Sequence, residues 1–244
     1  MQPERKSNKA YFMFGRFNPV TIGHGAIFKQ LAEDATQDGA DAYVFVSSTQ
    51  NSEKNPLSVD RKLYYINKLY GNLGIHFINT TTCTLGKNPT PCKGPPLVIA
   101  RLREMGYTHL YMYVGSDRLE DFQWIPKANM KKIEQGANIN PVVLVNKMPP
   151  RTGNNFVASM SASKIREAAL KDPVNESSIQ FIKNGTGLSE NDAKGLLYEI
   201  RTAIPRHNTR PFYENTSTPK KRRKKGGKRH TCRRHTYKMN KNKK

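Results

Sequence analysis

The sequence predicts an α/β fold: a doubly wound, five-stranded parallel sheet with a small C-terminal helical appendix and a disordered basic tail. Three observations predict it. Short apolar runs alternate with stretches of helical periodicity through the first two thirds of the chain, and most of their connections are short. Three further helical stretches follow with no strand between them. The excess of basic residues is concentrated at the C-terminal end.

The elements read in order as follows. Ala10–Phe14 is an apolar run ending at Gly15, as a buried parallel strand does. From His24 to about Ala35 the residues Ala26, Ile27, Leu31 and Ala35 recur with helical spacing. Ala42–Val46 is a second strand. Residues 59–70 form a second helix with Val59, Leu63, Ile66 and Leu69 on one face, and Ser58 is placed to cap it. Ile75–Ile78 is a third strand, Leu97–Met105 a third helix, Leu110–Val114 a fourth strand and, after a short helical region, Val142–Val145 a fifth. Helices at about 161–170, 176–183 and 189–203 follow. The expected division is a disordered start at 1–9, a sheet domain at 10–170, the helical appendix at 171–213 and the tail at 214–244. The connection Thr80–Pro96 is long for a compact domain, and such loops are usually functional.

The chain has 244 residues, with 41 Lys+Arg against 19 Asp+Glu, for a net charge of +22. Residues 220–244 hold 14 of those bases and no acid, which leaves +8 on the remainder. A tail of that composition buries too little apolar surface to offset its ordering entropy. It is a flexible polycation suited to non-specific contact with nucleic acid, and Pro219–Lys225 resembles a nuclear localisation signal. No apolar run is long enough to span a bilayer, and the charged start has no apolar core of the export type. A soluble intracellular protein is expected, in the nucleus of a host cell or in a virion. Three cysteines suggest a reducing interior rather than a stapled domain. Cys83 and Cys92 lack the close spacing of a zinc site, so no metal ligand is assigned.

In a doubly wound sheet, ligands bind beyond the carboxyl ends of the strands near the switch point. Gly15 and Gly115 each follow a predicted strand at that edge. The stretch Gly15-Arg-Phe-Asn-Pro-Val-Thr-Ile-Gly-His24 supplies phosphate-binding chemistry. Glycine at 15 permits a positive φ and close approach of an anion. Thr21 and His24 converge at a helix start whose free amides and dipole favour phosphate. Gly23 leaves room for a flat base. The plainer alternative is a strand–helix turn with a capping Thr and a partly buried His.

The whole string resembles the G-x-F-x-P-x-(H/T)-x-G-H signature of the nucleotidylyltransferase superfamily. That superfamily includes cytidylyltransferases and the phosphopantetheine and nicotinamide mononucleotide adenylyltransferases. Met160-Ser-Ala-Ser-Lys-Ile-Arg166 resembles its second signature, with Ser163 in place of the usual Thr. Val114-Gly-Ser-Asp-Arg118 with Trp124 is similar to an element of the nicotinamide mononucleotide adenylyltransferases. The set also looks like nucleotidylyltransferase-like proteins of bacteriophages and large DNA viruses.

Over residues 10–170 this resemblance implies a Rossmann-like domain that transfers a nucleoside monophosphate from ATP or CTP to a small phosphorylated acceptor, releasing pyrophosphate. Thr21 and His24 would hold the α-phosphate region, with Gly15, Arg16, Phe17 and Gly23 around the nucleotide. Ser161, Ser163 and Arg166 would hold the β- and γ-phosphates. Asp117 would bind the ribose hydroxyls, with Gly115 beside the nucleotide, and Trp124 would stack an acceptor ring. His24, Thr21 and Arg166 are the catalytic candidates. Lys54 and Arg61, after the second strand, are candidates for the acceptor's phosphate. Mg2+ would be ligated mostly by phosphate oxygens and water. Asp117 as a helix cap and Trp124 as core packing remain open. So does a non-catalytic nucleic-acid-binding or virion-associated protein that keeps the fold.

Overall fold

The computed structural model describes residues 7–51, 53–83, 91–115, 120–122, 124–125, 142–147 and 156–204. The sequence-predicted tail at 214–244 lies outside these, as do Asp117 and most of the N-terminal stretch 1–9. Strands β1 (Lys9–Gly15), β2 (Asp41–Val46), β3 (His76–Asn79), β4 (His109–Val114) and β5 (Val142–Lys147) alternate with helices α1 (Ile22–Gln37), α2 (Val59–Tyr70) and α3 (Pro95–Glu104). A short helical turn, Phe156–Ser159, precedes α4 (Ala162–Leu170), α5 (Glu176–Thr186) and α6 (Glu190–Ala203). Among the described residues the strands form one parallel five-stranded sheet in the order β3-β2-β1-β4-β5. β1 is central, and the chain reverses its direction of travel across the sheet between β1 and β4.

The period-two alternation of the strands sorts their side chains to two faces. Tyr11, Met13, Val44, Val46 and Tyr113 pack on one side with Phe28 and Leu31 of α1 and Ile66 of α2. Ala10, Phe12, Tyr43, Phe45, Leu110 and Met112 pack on the other with Val98 and Leu102 of α3. Helices therefore cover both faces, as sequence periodicity requires of a doubly wound sheet.

The C-terminal helices follow the last strand, as the sequence predicts, and Ile165, Ile182, Leu196 and Ile200 share the apolar cluster of α1 and α2. One expectation is corrected. Cys83 and Cys92 are joined in a disulfide, nine residues apart in sequence and fully buried. An odd number of cysteines gave no sign of it. The pair forms because both ends of the β3–α3 connection are tied to Thr80 and Asn79: Cys92 donates its N–H to Thr80 O (2.8 Å) and Cys83 to Asn79 O (2.9 Å).

Candidate active site

β1 ends at Gly15, and the turn into α1 is shaped by the next aromatic ring. Phe17 is buried with φ +44, a left-handed conformation that a bulky residue rarely adopts. Its ring sits edge-on to His24 and Phe28, with centroids 5.1 and 5.3 Å away. A Cβ on residue 15 would come within 2.4 Å of Phe17 Cζ. Glycine is required at 15 for that space and not for its own φ, which is not positive; the left-handed residue is two positions later. Asn18 anchors the far side of the turn: Leu57 N donates to its Oδ1 (3.1 Å) while its Nδ2 donates to Leu57 O (3.3 Å).

Thr21 caps α1, and His24 folds back on it. The Thr21 N–H donates to His24 Nδ1 at 3.1 Å, and Thr21 Oγ1 lies 3.0 Å from the same nitrogen. With Nδ1 accepting from the backbone, the neutral imidazole carries its proton on Nε2 and presents a hydrogen-bond donor there. His24 lines a cavity of about 1230 Å³ at the carboxyl ends of β1 and β4, together with Gly15, Arg16, Phe17 and Gly115.

The opposite end of the same wall is the start of α4. Ser161 is its N-cap and accepts from Lys164 N at 3.3 Å. Arg166 donates through Nη1 to Asn18 O (2.7 Å) and through Nη2 to Ser163 Oγ (3.1 Å). It thereby ties the second motif to the first, 148 residues earlier. Burial and the nearby charge of Arg16 both lower its pKa. A bound anion would offset both by stabilising the charged guanidinium.

The facing wall comes from the ends of β2 and β3. Lys62 of α2, 1 % exposed, reaches under it to donate to Ser47 O (2.9 Å) and Thr49 O (2.8 Å). Desolvation, reinforced by the charge of Arg16, pushes its pKa down to about 8. Thr80 Oγ1 donates to Val46 O and accepts from Ser48 N, both at 2.9 Å. Ser47, Ser48, Thr49, Lys54, Asn55, Thr80 and, past the disulfide, Lys93 and Gly94 line this side.

Nine of the residues singled out from the sequence thus share one cavity: Gly15, Arg16, Phe17, His24, Lys54, Gly115, Ser161, Ser163 and Arg166. Four others sit elsewhere. Thr21 is fully buried, and its hydroxyl contacts the His24 ring. Gly23 faces the Val157 and Met160 carbonyls, each 3.7 Å from where its Cβ would be. Arg61 is turned outward by α6, where it forms an ion pair with Glu199 and donates to Tyr65 Oη. Its pKa is raised chiefly by Glu199, and it is not among the residues that line this cavity. Trp124 is 46 % exposed and outside the cavity wall, where Phe14, Phe122 and Pro95 supply the apolar surface. Asp117 lies outside the described residues.

Sequence reasoning missed Asn18, Lys62 and the Ser47–Thr49 turn. Their signals were weak, since a Lys in an amphipathic helix and a Ser-Ser-Thr run after a strand are ordinary features. Among the described lining residues Arg16, Lys54, Lys93 and Arg166 face a single carboxylate, Asp121. Such a concavity concentrates polyanions, and its volume exceeds the roughly 300–1,000 Å³ of a pocket for one small ligand.

Comparison with known proteins gives a match of residues 12–168 to the cytidylyltransferase-like family. No curated protein matches the chain. Among solved structures, Plasmodium falciparum nicotinic acid mononucleotide adenylyltransferase complexed with NaAD aligns at 12 % identity and a TM-score of 0.47, over 80 % of this chain and 95 % of that one. The same enzyme complexed with APC aligns at 14 % identity and a TM-score of 0.49, over 79 % and 98 %.

Proposed function

Because this chain belongs to the cytidylyltransferase-like family, we propose that it is a nucleotidylyltransferase, passing a nucleoside monophosphate from ATP or CTP to a small phosphorylated acceptor. The observation that carries the proposal is the four-cation, one-carboxylate cavity in which both family motifs meet. An acceptor phosphate oxygen attacks the α-phosphorus, the bond from that phosphorus to the bridging oxygen breaks, and pyrophosphate leaves. No covalent bond to the protein is needed, so the chain's task is to align two anions and stabilise charge in transit.

His24 donates from Nε2 to the α-phosphate, held in that tautomer by the Thr21 N–H. Ser161, Ser163 and Arg166 take the β- and γ-phosphates at the α4 start, which also favours negative charge. Lys54 and Lys93, on the facing wall, draw in the acceptor. Among the described residues no group of three ligating side chains offers Mg2+ a cage, and Asp121 is the one described carboxylate on the cavity wall. The ion belongs to the substrate as the companion of the triphosphate.

The test is to incubate the full chain with Mg2+ and each nucleoside triphosphate over a panel of phosphorylated acceptors, starting with nicotinamide mononucleotide. Pyrophosphate should be released only when triphosphate and acceptor are both present. Release at the same rate without acceptor, or none across the panel, overturns the reading.

A second reading concerns residues 220–244, on the strength of their 14 bases and no acid. We propose that they hold nucleic acid non-specifically beside the transferase. A chain ending at Asn215 should keep its turnover and lose salt-sensitive binding to DNA or RNA. Binding retained with an unchanged salt slope would assign it to the body.

A further inference from the structure

Two buried asparagines line the cavity, and they are treated differently. Asn18 has both ends of its amide satisfied by the Leu57 backbone. Asn55, 3 % exposed, has its Oδ1 buried with no hydrogen-bond partner. The backbone of Asn55 is not at fault. Its N–H donates to Asn51 Oδ1 (3.1 Å) and its C=O accepts from Asn51 N (3.0 Å), which pins the residue beside Lys54 at the cavity wall. A buried carbonyl without a donor is costly and rare, and a fold that satisfies Asn18 so fully has the means to avoid it. The orphan is explained if its donor arrives with a ligand. Oδ1 is sheltered in this rotamer, so a ligand's donor meets it after the side chain turns toward the cavity that Asn55 lines.

We propose that Asn55 accepts a hydrogen bond from the acceptor substrate, and that the acceptor therefore carries a hydroxyl or amide N–H close to its phosphate. This rests on the transferase reading and narrows it. A phosphate dianion is acceptor-only and gives Oδ1 nothing. Lys54 and Lys93, which line the same side of the cavity, account for the anionic part of the acceptor, leaving Asn55 to read its neutral part.

The experiment uses the full chain, with nicotinamide mononucleotide as the first acceptor and the rest of the panel after it. Asn55→Leu should raise the acceptor KM about tenfold, leave the triphosphate KM within about twofold, and leave Tm unchanged or higher because an unsatisfied buried group is gone. Asn55→Thr keeps a neutral accepting oxygen and should stay within about threefold of wild type for the acceptor. An unchanged acceptor KM in Asn55→Leu overturns the proposal. So does an Asn55→Thr as poor as Asn55→Leu, since an accepting oxygen would then be no help. A raised triphosphate KM would place Asn55 on the wrong substrate. A wild-type chain inert on every acceptor is the failure of the transferase reading, visible before any variant is made. The Tm comparison then decides alone, and a lowered Tm in Asn55→Leu overturns the proposal by showing a structural amide.

Discussion

On the α1–α4 side of the cavity, the chemistry proposed above sits in two short strings, residues 15–24 and 160–166, joined by Arg166 donating to Asn18 O. On the facing side, the wall is a turn of backbone, Ser47–Thr49, held from beneath by Lys62 and from the flank by Thr80 and the Cys83–Cys92 bridge. The first wall is built by residues that touch one another across a few positions. The second is built by residues whose only sign of importance is what the fold brings next to them. The first should respond to substitution as chemistry and the second as stability and shape, and this division is testable.

The largest effect belongs to the first wall. His24→Ala should leave the fold intact, since the ring is only half-buried, and lower turnover by at least about a hundredfold, the usual scale for one lost donor at a developing oxyanion. Near-wild-type turnover in steady-state assays would remove His24 from the reaction centre and dissolve the contrast between the walls.

Next in size is the disulfide, on the second wall. Cys83→Ala with Cys92→Ala should cost ~2–3 kcal/mol in denaturant unfolding, the loop-entropy scale for a bridge of this span. Most of that difference should vanish when the wild type is measured with a dithiol reductant. A difference that persists in full under reduction would mean that packing at the two buried sulfurs, and not the covalent tie, holds this wall.

These contrasts explain what could be read in advance. The helix over 59–70 was legible because Ser58 and the apolar face of α2 are local, and Ser58 Oγ does accept from Arg61 N at 3.3 Å. The two motifs that meet in the cavity were legible as strings. The outward turn of Arg61 was not, because Glu199 lies 138 residues away and nothing near Arg61 announces it. Nor was the burial of Thr21: one hydroxyl in a motif reads the same whether it meets a ligand or the ring that meets the ligand. Phe17 inverts the expectation for Gly15 for a similar reason, since only the packed ring shows which residue takes the positive φ.

A smaller effect, in pH dependence, sharpens the second wall. The folded-state pKa of Lys62 is about 8, below its unfolded value, because burial disfavours the charge. Below pH 8 both states hold the proton and the folded state bears the desolvation cost. Between pH 8 and the ordinary lysine range only the unfolded state holds it, so stability rises with pH, by at most about 1.4 kcal/mol per unit. The buried tyrosines act oppositely. Tyr43 and Tyr65, raised to about 12 mainly by burial, let the unfolded chain ionise first, so stability falls above about pH 10. Wild-type stability should therefore climb from pH 8 to about 10 and then decline. Lys62→Met should flatten the climb and keep the decline. A climb that survives the substitution would mean that the ammonium under the Ser47–Thr49 turn is no source of it.

The smallest expected effect tests whether Thr21 belongs to the substrate or to His24. Valine matches threonine in shape, so Thr21→Val removes the hydroxyl at a fully buried site without opening a cavity. It deletes the 3.0 Å contact from Oγ1 to His24 Nδ1 but keeps the 3.1 Å bond from the backbone N–H, which by itself fixes the tautomer with the proton on Nε2. What is lost is one partner of an already positioned ring, so turnover should fall by less than about tenfold, the scale of one ordinary hydrogen bond. Both substrate KM values should stay near wild type, because the hydroxyl does not reach the cavity. If Thr21→Val instead costs as much as His24→Ala, the hydroxyl meets the reacting phosphate directly, and Thr21 and His24 act as two equal ligands. If it costs nothing, the backbone bond alone orients the imidazole. Any small residue that lets the helix start at that point would then serve at position 21.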